Sequence, residues 1–118
     1  MEVTTTIKDG FAIVIISGSI DSNTWLQLDS ELNRIIVEIG TKKVLLNFKD
    51  VTYMSSAGIR ALLIAARKLN TRKGWFGISN LSQNVYNVLE ISGFTSIFNI
   101  FPDENTALTE MQRPSKNG

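Results

Sequence analysis

The sequence predicts a single-domain α/β fold, a mixed five-stranded sheet that opens with a β-hairpin and is packed with about four helices. Three observations predict it. Asp9-Gly10 separates two Val-, Ile- and Thr-rich runs and is a strong two-residue hairpin signal. Val44-Leu45-Leu46-Asn47-Phe48 is almost wholly apolar, as an interior strand must be. Beyond it, strand-like and helix-like runs alternate, which implies parallel neighbours joined by crossovers. With 118 residues, 43% of them hydrophobic, the chain holds one core comfortably and two poorly.

Taken in order, Val3 to Lys8 and Phe11 to Ser17 read as the hairpin strands. A helix follows from Thr24 to Ile39, with Trp25, Leu28, Leu32, Ile35, Ile36 and Ile39 on one side. Thr24 and Gln27 have the spacing of a capping box, and Gly40 ends the helix. After the strand Val44 to Phe48 comes a helix over Ile59 to Asn70, with Ile59, Leu62, Leu63, Ala66 and Leu69 expected in the core. Trp75 to Ser79 reads as a strand, Ser82 caps a third helix carrying Val85, Val88 and Leu89 and stopped by Gly93, and Ser96 to Phe101 reads as a fifth strand. Asp103 to Met111 closes the domain as a helix preceded by Pro102. Residues 112–118 are polar and are expected to form a loosely held tail, so the domain spans 1–111.

Composition narrows the chemistry. The chain has no cysteine and no histidine, so disulfides, thiolate zinc sites and imidazole-based hydrolysis lack their parts, and no enzyme activity or cofactor is expected. No run reaches the roughly 18 apolar residues of a membrane span, and the N-terminus does not resemble a secretory signal, which points to the cytoplasm. The net charge of +1 is unevenly spread: residues 51–89 hold five bases and no acid, namely Arg60, Arg67, Lys68, Arg72 and Lys73. This segment fits an acidic partner or a solvated face. It lacks aromatic interleaving and any recognition-helix motif, so no nucleic acid is expected as a partner.

The most informative segment is Ser55-Ser56-Ala57-Gly58, which lies between the third strand and the helix after it. A hydroxyl there lies beside the unpaired N–H groups and the positive dipole end of that helix, where a phosphate would be accommodated. Local sequence also allows Ser56 to be a helix cap only. Gly58 either lets the helix start pack closely beneath the turn or leaves the serine open to a kinase. Ala57, Ala61, Ile64 and Lys68, flanked by Arg60 and Arg67, form a stripe beside the expected core face. That stripe is a docking face, or Ile64 is buried against the neighbouring helix.

Tyr53-Met54-Ser55-Ser56-Ala57-Gly58-Ile59-Arg60-Ala61-Leu62-Leu63 resembles the signature of the STAS domains, and among them the stand-alone anti-sigma-factor antagonists. Gly18-Ser19-Ile20-Asp21, Val88-Leu89-Glu90-Ile91-Ser92-Gly93-Phe94 and Phe98-Asn99-Ile100-Phe101 with Asp103 and Ala107 resemble further family segments in the same order. The resemblance implies that Ser56 is a phosphoacceptor. It implies a serine kinase of the GHKL ATP-fold type, often the anti-sigma factor itself, and a PP2C-type phosphatase. The unphosphorylated form would bind the kinase or anti-sigma partner and so release a sigma factor or another effector, and phosphorylation would block that binding.

By the same resemblance Asp21 lies in a loop beside the switch serine; from residues alone it also reads as a turn residue or helix cap near Ser22 and Asn23, which are expected next to the switch as well. Ser55 stands where many relatives carry Asp, and so does Asn47, which would remove negative charge near the hydroxyl. Two other functions fit the same segment: a STAS module that senses a nucleotide or lipid at the helix end, and a STAS regulator of a signalling output other than a sigma factor.

Overall fold

The computed structural model describes residues 1–113; from Pro114 onward the expected tail lies outside the described residues. Strands β1 (Glu2–Lys8) and β2 (Phe11–Ile20) form the opening hairpin, paired antiparallel from Lys8 with Phe11 to Glu2 with Ser17. Asp9 and Gly10 both adopt positive φ, 55° and 81°, as a two-residue hairpin turn of the tightest kind requires. β3 (Lys43–Met54), β4 (Trp75–Ser79) and β5 (Asn99–Phe101) add in parallel, giving a five-stranded mixed sheet in the order β1-β2-β3-β4-β5.

Alternation along β3 assigns its two faces. Val44, Leu46 and Phe48 join a core that also takes residues from α1 (Trp25–Asn33), α2 (Ser56–Thr71) and α3 (Gln83–Ile91). Leu45, pointing the other way, packs beneath α4 (Glu104–Met111) with Ala107 and Met111. Three helices therefore cover one face and a single short helix covers part of the other. α1 continues as a π-helical segment, Arg34–Glu38, in which the adjacent Ile35 and Ile36 are both fully buried, and Gly40 at φ 83° ends it.

Four local expectations are corrected. Thr24 makes no capping box: its hydroxyl donates to the Ser19 carbonyl and accepts the Asp21 N–H, so it ties the β2–α1 loop instead of capping α1. β3 runs six residues beyond Phe48, because its polar continuation pairs with Ser17 to Ile20 of β2 across two register shifts. β5 is reduced to three residues. α2 begins at Ser56 and is rotated relative to its expected core face: Ala61 and Ala65 are buried, whereas Leu63 and Ala66 are only half-buried. The alanines let α1 pack closely against α2, where Lys68 Nζ donates to Asn33 Oδ1 at 2.7 Å.

Candidate functional site

The site forms where two parallel strands end side by side. Ile20, the last residue of β2, pairs with Met54, the last of β3, and the Ser55 N–H donates to the Ile20 carbonyl at 2.9 Å. The β2–α1 loop (Asp21 to Thr24) and the start of α2 are thereby fastened together at the carboxyl ends of the strands, the customary place for a site in an open α/β sheet. Gly58 makes the junction possible. A Cβ on it would fall 2.6 Å from Met54 Cγ, 2.8 Å from Ile20 Cγ2 and 3.2 Å from the Ile20 carbonyl oxygen, so only glycine fits without movement. Of its two expected roles the structure shows the packing one.

Ser55 occupies the N-cap position of α2 in extended backbone (φ −95°, ψ 177°) but its side chain caps nothing. Its Oγ is buried and has no hydrogen-bond partner among the described residues. The first α2 bond to a flanking residue is Ile59 N–H to the Ser55 carbonyl at 3.1 Å, and the N–H groups of Ser56, Ala57 and Gly58 have no acceptor among the described residues. Ser56, the first helical residue, is exposed. The two neighbouring serines thus face opposite environments, one hydroxyl sealed in and one open to solvent at an unpaired helix start.

Of the other expected site residues, Ser22, Asn23 and Arg60 are exposed, and Ala57 and Ile64 are half-buried. Asp21 is a turn residue: its Oδ1 accepts the Asn23 N–H at 2.9 Å and lies 3.3 Å from the Thr24 hydroxyl. Ala61 is 0% exposed and leaves the expected docking stripe. The open face of the helix carries Ser56, Arg60 and Arg67. Asn47 is also displaced from the switch: it lies under α4, where its Nδ2 donates to Glu104 Oε1 at 3.0 Å and its Oδ1 accepts the Lys49 N–H. Seven residues of strand, roughly 20 Å, separate it from Met54. Sequence reasoning passed over Tyr53, which is 53% exposed immediately before the turn, and Leu26, 59% exposed on the first turn of α1 after the Asp21 loop. An apolar residue opposite the expected core face of a helix was the available signal for Leu26.

Among the described residues no group of His, Cys, Asp and Glu is placed to hold a metal, and no helix is long and apolar enough to cross a membrane.

The STAS domain family model matches residues 2–107. A Bordetella bronchiseptica protein, BtrV, named as an anti-sigma factor antagonist, is 37% identical over 98 residues, covering 83% of this chain and 84% of its own. An anti-sigma factor antagonist from Mycobacterium paratuberculosis has a crystal structure that superposes with a TM-score of 0.85 at 22% identity, covering 95% of this chain and 94% of its own. The Bacillus cell fate determinant SpoIIAA in its phosphorylated form superposes with a TM-score of 0.74 at 18% identity, over 94% of this chain and 100% of its own. The arrangement of strands and helices, the Ser-Ser-Ala-Gly turn and these likenesses agree, and the chain belongs to the STAS domain family, alongside relatives named as anti-sigma factor antagonists.

Proposed function

We propose that this chain is a non-enzymatic, cytoplasmic anti-sigma-factor antagonist whose binding to its partner is controlled by phosphorylation of Ser56. The observation that carries the reading is the exposure of Ser56 at a helix start whose first N–H groups are unpaired, next to a Ser55 hydroxyl that is buried. The names of the relatives support the anti-sigma role, and the fold likeness to SpoIIAA solved in phosphorylated form supports phosphate as the modifying group.

The unphosphorylated form offers a small neutral hydroxyl, flanked by Ala57 and Gly58, to a partner that is an anti-sigma factor and serine kinase of the GHKL type. Phosphorylation adds about −1.5 to −2 charges. Its own fold tolerates them, since the α2 dipole and free N–H groups favour an anion by about 0.3–1 kcal/mol. A partner surface that closes over the same spot must strip water from the dianion, and a loss of about 2.7 kcal/mol already weakens binding about a hundredfold. A PP2C-type phosphatase would reset the switch.

The test is phosphorylation in vitro. Incubation with ATP and the cognate kinase is expected to add one phosphate to the wild type and none to Ser56→Ala. Phosphate incorporated equally into Ser56→Ala overturns the assignment.

A further inference from the structure

We propose that the outer edge of β1 is a self-pairing surface, on which a second copy of this chain adds antiparallel to make one continuous ten-stranded sheet. The two edges of the sheet are unlike. β5 is three residues long, a short edge of the kind that resists pairing. β1 is seven residues long and pairs with β2 without a register shift, and the sequence Glu2-Val3-Thr4-Thr5-Thr6-Ile7-Lys8 contains no proline, no glycine and no charge except at its two ends. Between its charged ends none of the usual devices that blunt an edge strand is present, and Glu2, Thr4, Thr6, Ile7 and Lys8 are exposed.

The hairpin fixes which backbone groups face outward. In a two-residue turn with both residues at positive φ, the flanking pair Lys8 and Phe11 exchanges hydrogen bonds, and bonded and unbonded pairs then alternate along the ladder. Lys8, Thr6, Thr4 and Glu2 therefore bond inward to β2, and Val3, Thr5 and Ile7 direct their N–H and C=O groups to the free edge. A two-fold axis through Thr5 sets these same three residues against each other: Val3 meets Ile7 of the second copy, Thr5 meets Thr5, and Ile7 meets Val3. Each outward donor finds an acceptor in that register.

The side chains choose the same register. On the helix-covered face Ile7, 40% exposed in the monomer, lies against Val3 of the second copy, while Thr5 keeps its bond to Glu31 Oε2. On the other face Glu2 stands opposite Lys8 of the second copy at both ends of the strand, with Thr4 opposite Thr6. A slip by two residues in either direction breaks both charge pairs and shortens the overlap. The contact is isologous and closes as a dimer. It contains none of Asp21, Ser55, Ser56 or Arg60, so it does not use the switch.

Sedimentation velocity of the untagged wild type, from micromolar to near-millimolar concentration, is expected to show mass rising toward twice 13.1 kDa. Glu2→Lys is expected to weaken the dimer at least about tenfold by opposing two lysines at each end, and the double exchange Glu2→Lys with Lys8→Glu is expected to restore it. Ile7→Pro, which removes an outward N–H only, is expected to abolish dimerisation while the far-ultraviolet circular dichroism stays that of the wild type. A wild type that remains monomeric throughout, a dimer indifferent to Glu2→Lys, or a double exchange that fails to restore pairing overturns the proposal.

Discussion

The starts of α2, α3 and α4 are of two kinds. At α3, Ser82 Oγ accepts the Val85 N–H at 3.2 Å, and at α4, Asp103 Oδ1 accepts the Thr106 N–H at 2.7 Å; both are ordinary side-chain caps. At α2 the cap position is also a serine, yet Ser55 turns its hydroxyl into the protein and leaves the first turn uncapped. The same residue type at the same position, with extended backbone in both cases, does opposite things; at α2 the Ser55 N–H also donates to the Ile20 carbonyl across the strand ends. α3 and α4 are finished by side chains, and α1, which Thr24 does not cap, has its Trp25 and Gln27 N–H groups taken by the Asp21 and Thr24 carbonyls. α2 keeps its positive end available to something outside, and it presents Ser56.

That contrast can be broken most severely at its geometric origin. Gly58→Val puts side-chain carbons into the space held by Met54 and Ile20, so urea denaturation should show a loss of about 3 kcal/mol, whereas wild-type stability would mean that the strand ends and helix start are not fastened as described. Ser82→Ala removes a working cap and should cost about 1 kcal/mol in the same assay.

The Asp103 cap should be visible in its pH dependence. The hydrogen bond from the Thr106 backbone N–H, aided by the Thr106 side chain, holds the Asp103 carboxyl below its usual value. A carboxyl whose pKa is lower folded than unfolded contributes stability that is fully present above the unfolded value and is lost as pH falls through the folded one. Thermal unfolding scans between pH 5 and pH 2, taken as approximate bounds on carboxylate titration, should therefore show a shallower acid decline in Asp103→Asn than in the wild type. The smallest effect belongs to the switch helix. Ser55→Ala removes a hydroxyl that caps nothing, so stability should stay within about 0.5 kcal/mol of wild type or rise; a loss as large as that of Ser82→Ala would show that Ser55 is a cap after all.

Much of this was legible in the sequence where a local rule acts alone. The Asp9-Gly10 turn, the Ser82 cap and the apolar first half of β3 each carry their own signal, and each is found. What escaped depends on distant partners. The second half of β3 is polar in appearance because Val51 and Met54, its buried residues, are three apart, a spacing that a strand tolerates only through the register shifts against β2. The core face of α2 lies one position away from the expected one, with Ala61 and Ala65 buried in place of Leu63 and Ala66, on a helix packed against both α1 and the sheet.

The site shows the same division. Ser56 at the helix start followed from strand and helix punctuation, and its exposure agrees with that placement. The burial of Ser55 Oγ did not follow, since Ser55 and Ser56 are chemically identical in sequence and only the Ile20 contact separates them. The family resemblance implies that Asn47 lies near the switch hydroxyl, and the unexpected length of β3 carries it away.

The most direct measurement is capture of the binding partner by wild type, Ser56→Ala and Ser56→Asp used side by side as baits, with affinity for the captured protein then determined by calorimetry. Wild type and Ser56→Ala are expected to bind it equally and Ser56→Asp about a hundredfold more weakly, with all three baits unfolding at the same temperature. Equal affinity of all three baits would contradict a switch at Ser56.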